Sequence, residues 1–211
     1  MIDRRFVAVS APIALAMGAL ARPTAARAAD WAQTPDGLVR RFAEVGITEV
    51  LEAPVPQKEK TVRFRKLFVE FFDIPAIGRF VLGRFARAVQ PADLERFQKL
   101  FEDVIVYTWT RRFGEYKGES LNVKDSAPDG DAGALVNSDI VGKGGQAFAV
   151  SWRLRKRETG FRIVDVIVEG VSMAITYRNE YASIIQKSGG MAGLFSLMEG
   201  QVVDLAKQVD A

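Results

Sequence analysis

The 211 residues suffice for one domain with a substantial core and are too few for two comfortable ones. Hydrophobic residues make up 48% of the chain and charged residues 26%, as in soluble globular proteins, so neither a disordered chain nor a membrane-spanning protein is expected. The chain contains no cysteine and no histidine, which excludes thiolate nucleophiles, imidazole bases and the commonest zinc and copper ligands. No catalytic residue, metal site or cofactor is therefore predicted.

The N-terminus has the three parts of a cleavable export signal. Arg4 and Arg5 precede an apolar stretch over residues 6–20, and the small-residue motif ARA follows at residues 26–28. Because the apolar stretch contains a proline and a glycine and is shorter than the roughly 20 residues that span a bilayer, cleavage is favoured over a membrane helix. We expect residues 1–28 to be removed and the protein to be exported to the periplasm of a Gram-negative cell.

Residues 29–211 are expected to form a single, monomeric domain. Removal of the leader takes away four arginines and one aspartate, which lowers the net charge from +3 to zero. A nucleic-acid-binding protein needs a surplus of positive charge, so that class is excluded. The paired arginines also occur in twin-arginine signals, but they are frequent in ordinary leaders, and the general secretory route is favoured.

Apolar residues at helical spacing, with helix-start and helix-stop residues between them, predict six helices. The longest begins at a proline and has Asp93 in its first turn, both typical of helix N-termini. The predicted helices are residues 34–52, 57–72, 75–82, 91–116, 177–187 and 194–209.

The apolar period changes to two after residue 120, which predicts strands instead of helices. Each junction between the strands carries glycine-containing turn sequences typical of hairpins. The predicted strands are residues 120–126, 132–141, 146–157 and 161–169. This order predicts an α+β fold with a four-stranded, mainly antiparallel sheet, one face of which is covered by the N- and C-terminal helices.

Two carboxylates in the last predicted strand are the best candidates for acid–base chemistry. Asp165 and Glu169 are four residues apart, so they share one strand face at a separation of roughly 13 Å. That distance exceeds the roughly 5 to 9.5 Å between paired glycosidase carboxylates. Glycosidase chemistry is therefore not expected.

The chain contains fourteen phenylalanines and three tryptophans, many of them on helix faces that would oppose the sheet. These side chains either fill a solid core or line a cavity. Composition does not decide between the two, and core filling is the ordinary outcome.

Three segments together resemble the periplasmic phospholipid-binding proteins of the maintenance of lipid asymmetry (Mla) pathway, also called the toluene-tolerance family. The first is FDIPAIGRFVLGR at residues 72–84, and the second is the helix from PADLERF at residues 91–97 to YKG at residues 116–118. The third is VDVIVEGVSM at residues 164–173, followed by YRNEY at residues 177–181. Their order and spacing match across nearly the whole expected domain.

The resemblance implies a carrier that holds a phospholipid with its acyl chains in a cavity between sheet and helices. Such a carrier moves lipid between an outer-membrane lipid-extracting complex and an inner-membrane ABC-type lipid transporter. A related branch, associated with hopanoid biosynthesis, shares the same pattern and implies a polycyclic triterpenoid ligand instead.

Residue alternation within the predicted elements suggests which side chains contact the lipid. The set combines one face of each of two strands with residues from facing helices. The predicted lipid-binding residues are Val81, Phe101, Ile105, Trp109, Phe148, Val150, Trp152, Val166, Val168 and Met173.

Two basic clusters either contact lipid headgroups or a partner, or form an ordinary solvated surface. One ends the third strand, and the other begins within the short third helix and continues beyond its end. Their members are Arg153, Arg155, Lys156 and Arg157 in the first, and Arg79, Arg84 and Arg87 in the second.

Besides the lipid carrier, two functions remain compatible with the sequence. One is an enzyme on a similar α+β scaffold that uses Asp165 or Glu169 as a general base. The other is a structural adaptor with a solid phenylalanine-rich core, which the absence of a cavity on the order of several hundred Å³ would favour.

Overall fold

The structure, a computed structural model, describes residues 30–210. The predicted leader and its cleavage site lie outside these residues. The α-helices are α1 (Pro35–Val45), α2 (Gln57–Phe71), α3 (Ile74–Leu82), α4 (Pro91–Thr110), α5 (Met173–Lys187) and α6 (Met191–Asp210). The strands are β1 (Ser120–Pro128), β2 (Gly133–Val141), β3 (Ala147–Arg157), β4 (Gly160–Val168) and β5 (Val171–Ser172). Short 3-10 or π-helical turns cover Asp30–Gln33, Gly46–Leu51, Gly83–Arg87 and Phe113–Glu115.

The sheet is an antiparallel meander in the order β1-β2-β3-β4-β5. The α+β class and the antiparallel arrangement are confirmed, but the prediction of four strands was wrong, because the sheet has five. β5 is only two residues long, too short to produce an alternating pattern. It folds back on β4 through Glu169 and Gly170, both of which have positive φ, as two-residue hairpin turns require.

Helices α1 and α2 cover one face of the sheet. Val136, Val150, Leu154 and Ile163 alternate with more exposed residues along the strands, and all four are buried. These side chains pack with Leu38 and other apolar residues of α1 and α2 into one continuous cluster. The period-two pattern of the strands therefore reports a real difference between the two sheet faces.

A second apolar cluster joins α3, α4, α5 and α6. Phe97 and Phe101 of α4 pack there with Leu194 and Met198 of α6, all fully buried or nearly so. Phe64 and Phe72 contact both clusters. The domain therefore has a sheet-facing core and a helical core that meet along a shared aromatic boundary.

Four predicted helix boundaries were wrong, including the start of α6, which is Met191, three residues before the predicted residue 194. The first predicted helix changes to a π-helical turn after Val45, and α4 ends at Thr110, before a 3-10 turn. α5 begins at Met173, four residues earlier than predicted, because Ser172 caps it by accepting a hydrogen bond from the Ile175 N–H at 3.1 Å.

Candidate functional site

An apolar pocket lies at the boundary between the two cores. Its enclosed volume is about 190 Å³, below the roughly 300 to 1,000 Å³ of ordinary small-molecule pockets. The volume thus falls short of the size expected for a preformed lipid cavity, and taken alone it favours the structural adaptor with a solid core. The pocket is lined by residues of α1–α5, β3 and β4, namely Phe42, Phe64, Phe68, Phe72, Ile77, Phe101, Ile105, Trp109, Trp152, Val164, Asp165, Val166, Met173, Ala174 and Tyr177.

Aromatic rings form a connected wall on the sheet side of the pocket. The ring centroids of Phe68 and Phe72 are 4.5 Å apart, those of Phe72 and Phe42 5.6 Å, and those of Phe42 and Trp152 5.4 Å. The Trp152 indole N–H donates to the Ser138 hydroxyl at 2.9 Å, so its one polar group is satisfied within the sheet. This wall therefore presents hydrocarbon to the pocket.

An irregularity in β4 turns three consecutive residues toward the pocket. The register between β3 and β4 shifts so that Arg153 pairs with Asp165 and Leu154 with Ile163, leaving Val164 without a partner. Successive residues of a regular strand point to opposite faces, and a bulge breaks that alternation. Val164, Asp165 and Val166 accordingly all line the pocket.

Asp165 is the buried carboxylate of the pocket, with only 5% of its surface exposed. Its Oδ1 accepts from the Ala174 N–H at 2.9 Å, and its Oδ2 accepts from the Ser172 hydroxyl at 2.6 Å and from Arg153 Nη1 at 3.2 Å. Three donors therefore hold the carboxylate at the start of α5, where a negative charge is also favoured by the helix dipole. This arrangement ties the Asp165 carboxylate to β3 and to the start of α5 through three donors of the protein.

Trp109 marks where the pocket opens. It lines the pocket and is 41% exposed, whereas every other lining side chain is buried or half-buried. Tyr177 lies on the opposing helix, α5. Burial raises the pKa of Tyr177, the charge of Glu180 raises this pKa further, and the guanidinium of Arg112 opposes the increase. The edge of the pocket therefore combines apolar side chains with two nearby charges of opposite sign.

Six of the ten predicted lipid-binding residues meet in this pocket, and four lie elsewhere. Val81 is buried in the helical core and Val150 in the sheet core, while Phe148 is 52% exposed and Val168 is half-buried at the end of β4. Whether any of the ten contacts lipid stays a prediction. The six that line the pocket are Phe101, Ile105, Trp109, Trp152, Val166 and Met173.

Nine lining residues were not among those predicted from the sequence. Phe64, Phe68 and Phe72 are spaced four apart, so their shared helix face was detectable. The positions of the others depend on contacts between distant segments and left no local signal. The nine are Phe42, Phe64, Phe68, Phe72, Ile77, Val164, Asp165, Ala174 and Tyr177.

The two basic clusters have different surroundings. In the first, Arg153 and Arg155 both pair with Asp129, at 3.1 and 2.7 Å, and Arg157 pairs with Asp73 at 2.6 Å. Most of its charge is therefore neutralised within the protein. The second cluster consists of Arg79, Arg84 and Arg87. All three are exposed and form no ion pair with any of residues 30–210.

Over the described range, none of the helices combines the length and the apolar character that crossing a membrane requires. The same range contains no group of three or more acidic side chains arranged to hold a metal ion.

Known proteins match this chain in family, sequence and fold. The chain is 23% identical over 140 residues to the toluene tolerance protein Ttg2D of Pseudomonas putida, a match that covers 66% of this chain and 64% of that relative, less than two thirds of its length. The fold matches that of a phospholipid-binding protein from Ralstonia solanacearum, solved in complex with a phospholipid, with a TM-score of 0.72 and 20% identity over 81% of this chain and 98% of the other. The model of the MlaC protein family matches residues 47–200. The predicted resemblance is thus confirmed, and the chain belongs to the MlaC family.

Proposed function

We propose that this protein is a periplasmic lipid carrier that shields phospholipid acyl chains in the pocket between sheet and helices. The observation that carries the proposal is the pocket itself, an almost wholly apolar and aromatic lining that opens beside the exposed Trp109. Family membership supports it, as does the phospholipid complex of the Ralstonia solanacearum protein with the same fold.

The energetics suit a carrier. Burial contributes about 0.8 kcal/mol per methylene, so a chain of around 16 carbons contributes on the order of 10 kcal/mol and is released slowly without a partner. The enclosed volume of about 190 Å³ is too small for such a chain in its present form. We therefore propose that the pocket widens along the boundary between the two cores when lipid is inserted.

We further propose that the carrier is monomeric and moves lipid between an outer-membrane lipid-extracting complex and an inner-membrane ABC-type transporter. In this scheme residues 1–28 direct export by the general secretory route and are removed, leaving residues 29–211 as the single lipid-binding domain. The chain has no P-loop motif, so energy for directional transport would come from the transporter.

Lipid uptake from vesicles tests the carrier function. Delipidated protein is incubated with phospholipid vesicles, separated by size exclusion and examined by native mass spectrometry and lipid analysis. We expect about one lipid adduct per monomer, and a protein that acquires no lipid would refute the proposal. Preferential uptake of a polycyclic triterpenoid from vesicles that contain both lipids would instead support the hopanoid-associated alternative.

A pair of matched substitutions tests whether the pocket holds the lipid. Val166→Trp places a large side chain in the pocket, and Val203→Trp makes the same change on the exposed side of α6. We expect Val166→Trp to abolish uptake and Val203→Trp to retain it. Circular dichroism verifies folding, and Met173→Trp provides a second pocket-filling variant with a smaller change in volume. Equal uptake by the pocket-filling variants and the control would contradict the assignment.

A further inference from the structure

We propose that Arg112 binds the phosphate of a lipid headgroup at the mouth of the pocket. This inference rests on the proposed lipid-carrier function and assigns the site that distinguishes a phospholipid from a phosphate-free lipid with the same acyl chains.

The backbone places Arg112 beside the opening. Arg111 and Arg112 retain helical dihedral angles beyond the end of α4. Because Trp109 and Arg112 are three residues apart in this helical conformation, their side chains share one face. The Arg112 N–H donates to the Trp109 carbonyl at 2.9 Å. On the other side of Arg112, Phe113 packs edge-on against the lining residue Phe64, with ring centroids 5.1 Å apart. Arg112 therefore lies between two aromatic residues of the pocket and its rim.

The guanidinium of Arg112 is available to a ligand. It is exposed and has neither an ion pair nor a side-chain hydrogen bond to any residue in the described part of the chain. Its neighbour Arg111 differs, because Arg111 Nη1 donates to Gln208 of α6 at 2.9 Å. A guanidinium presents several N–H donors in one plane, which suits two oxygens of a phosphate.

The two charges that act on Tyr177 favour phosphate at Arg112. The charges of Arg112 and Glu180 both act on the Tyr177 hydroxyl, with opposite sign, yet the two residues form no ion pair. Because they do not neutralise each other, an anionic group is attracted to the Arg112 side of the mouth and repelled from the Glu180 side. A lipid with its acyl chains in the pocket and its headgroup in water would carry its phosphate through this mouth.

A competition between two lipids tests the assignment. Delipidated wild type, Arg112→Gln and Arg111→Gln are each incubated with vesicles containing equal amounts of dipalmitoyl phosphatidylethanolamine and dipalmitoylglycerol. Native mass spectrometry then gives the ratio of the two lipids bound. We expect Arg112→Gln to lower the ratio about fivefold to tenfold, the effect of losing one charge-assisted contact at an exposed site. Arg111→Gln should leave the ratio unchanged.

The ratio of the two bound lipids tests the role of Arg112, whereas total lipid uptake tests the carrier function. Uptake of both lipids by Arg112→Gln at the wild-type ratio, or an equal decrease in Arg111→Gln, would overturn the inference alone. A wild type that takes up neither lipid would refute the carrier function and the inference together.

Inorganic phosphate distinguishes a headgroup site from a free-phosphate site. We expect millimolar phosphate to leave the ratio unchanged, because a headgroup phosphate tethered by bound acyl chains has a much higher effective concentration at Arg112 than the free ion. Calorimetric binding of inorganic phosphate that is lost in Arg112→Gln, without any change in the lipid ratio, would show a free-phosphate site and overturn the headgroup assignment.

Discussion

Asp165→Asn tests the buried carboxylate that joins β4 to the start of α5. The wild-type carboxylate accepts three hydrogen bonds, from the Ala174 N–H, the Ser172 hydroxyl and Arg153. Asparagine has the same shape but only one acceptor oxygen. Its NH₂ group replaces the second carboxylate oxygen and is a donor, so it faces the donors that this oxygen accepted from. The substitution therefore leaves polar groups unpaired at a position that is only 5% exposed.

The expected loss of stability is about 3 kcal/mol. A hydrogen bond to a charged group contributes about 1.5 to 3 kcal/mol, so loss of the two on Oδ2 sets an upper range of about 3 to 6 kcal/mol. The lower end applies because Arg153 is about a third exposed and keeps its ion pair with Asp129. Water and the second partner thus compensate for part of the loss.

Urea denaturation at neutral pH, followed by circular dichroism, measures this loss. A decrease of about 3 kcal/mol corresponds to a fall in Tm of roughly 6 to 12 °C for a domain of this size. Ser172→Ala is the control: it removes the N-cap and one bond to Asp165 but leaves the carboxylate charged, so we expect a cost of only about 1 to 2 kcal/mol. Folded Asp165→Asn protein should still take up lipid. A cost below about 1 kcal/mol would refute the structural role given to this carboxylate.

The remaining predictions concern three other positions. The Tyr181 hydroxyl is buried without a partner among residues 30–210, so Tyr181→Phe should be as stable as wild type or up to about 1 kcal/mol more stable in urea, and a clear loss would contradict this. The bond from Arg155 holds the pKa of Asp129 below its ordinary value. The stabilisation by the charged Asp129 carboxylate is thus present at neutral pH and lost as pH falls below about 3.9. Asp129→Asn should therefore lower the free energy of unfolding in urea by under about 1 kcal/mol at neutral pH, and by progressively less in acid. Gly83 has a φ of 56° and faces an arginine side chain 2.9 Å from an added Cβ, so Gly83→Ala should lower Tm, whereas Gly200→Ala in the open surface of α6 should raise it; equal shifts would contradict the reasoning.

The sequence predicted the elements whose signals are local. The period-two pattern and the turn residues located β1 to β4 to within two residues at each end. The start of α5 was missed although its N-cap, Ser172, is a local signal. Only the second acceptor at this end, Asp165, comes from the neighbouring strand and leaves no signal beside the helix. β5 was missed because two residues carry no period.

The prediction of the pocket-lining residues was also limited to local signals. Phe148, Val150 and Trp152 alternate as a single strand face should, yet only Trp152 lines the pocket. Their positions along β3 decide the outcome, since Phe148 extends into solvent and Val150 lies in the sheet core. Which part of a strand lies against the helices depends on packing between distant segments, which residue alternation does not report.

The pocket lies where the proposed widening requires the least rearrangement. Its wall draws Phe101 and Ile105 from the helical core and Trp152 from the sheet core, so the pocket follows the boundary between them. A close-packed interior resists expansion inside either cluster, because every displaced side chain loses its contacts. Movement along the boundary breaks fewer contacts, since only the side chains shared by both cores must separate. In the proposed carrier an inserted acyl chain would replace those lost contacts with its own, so the proposed widening would cost least when lipid is present.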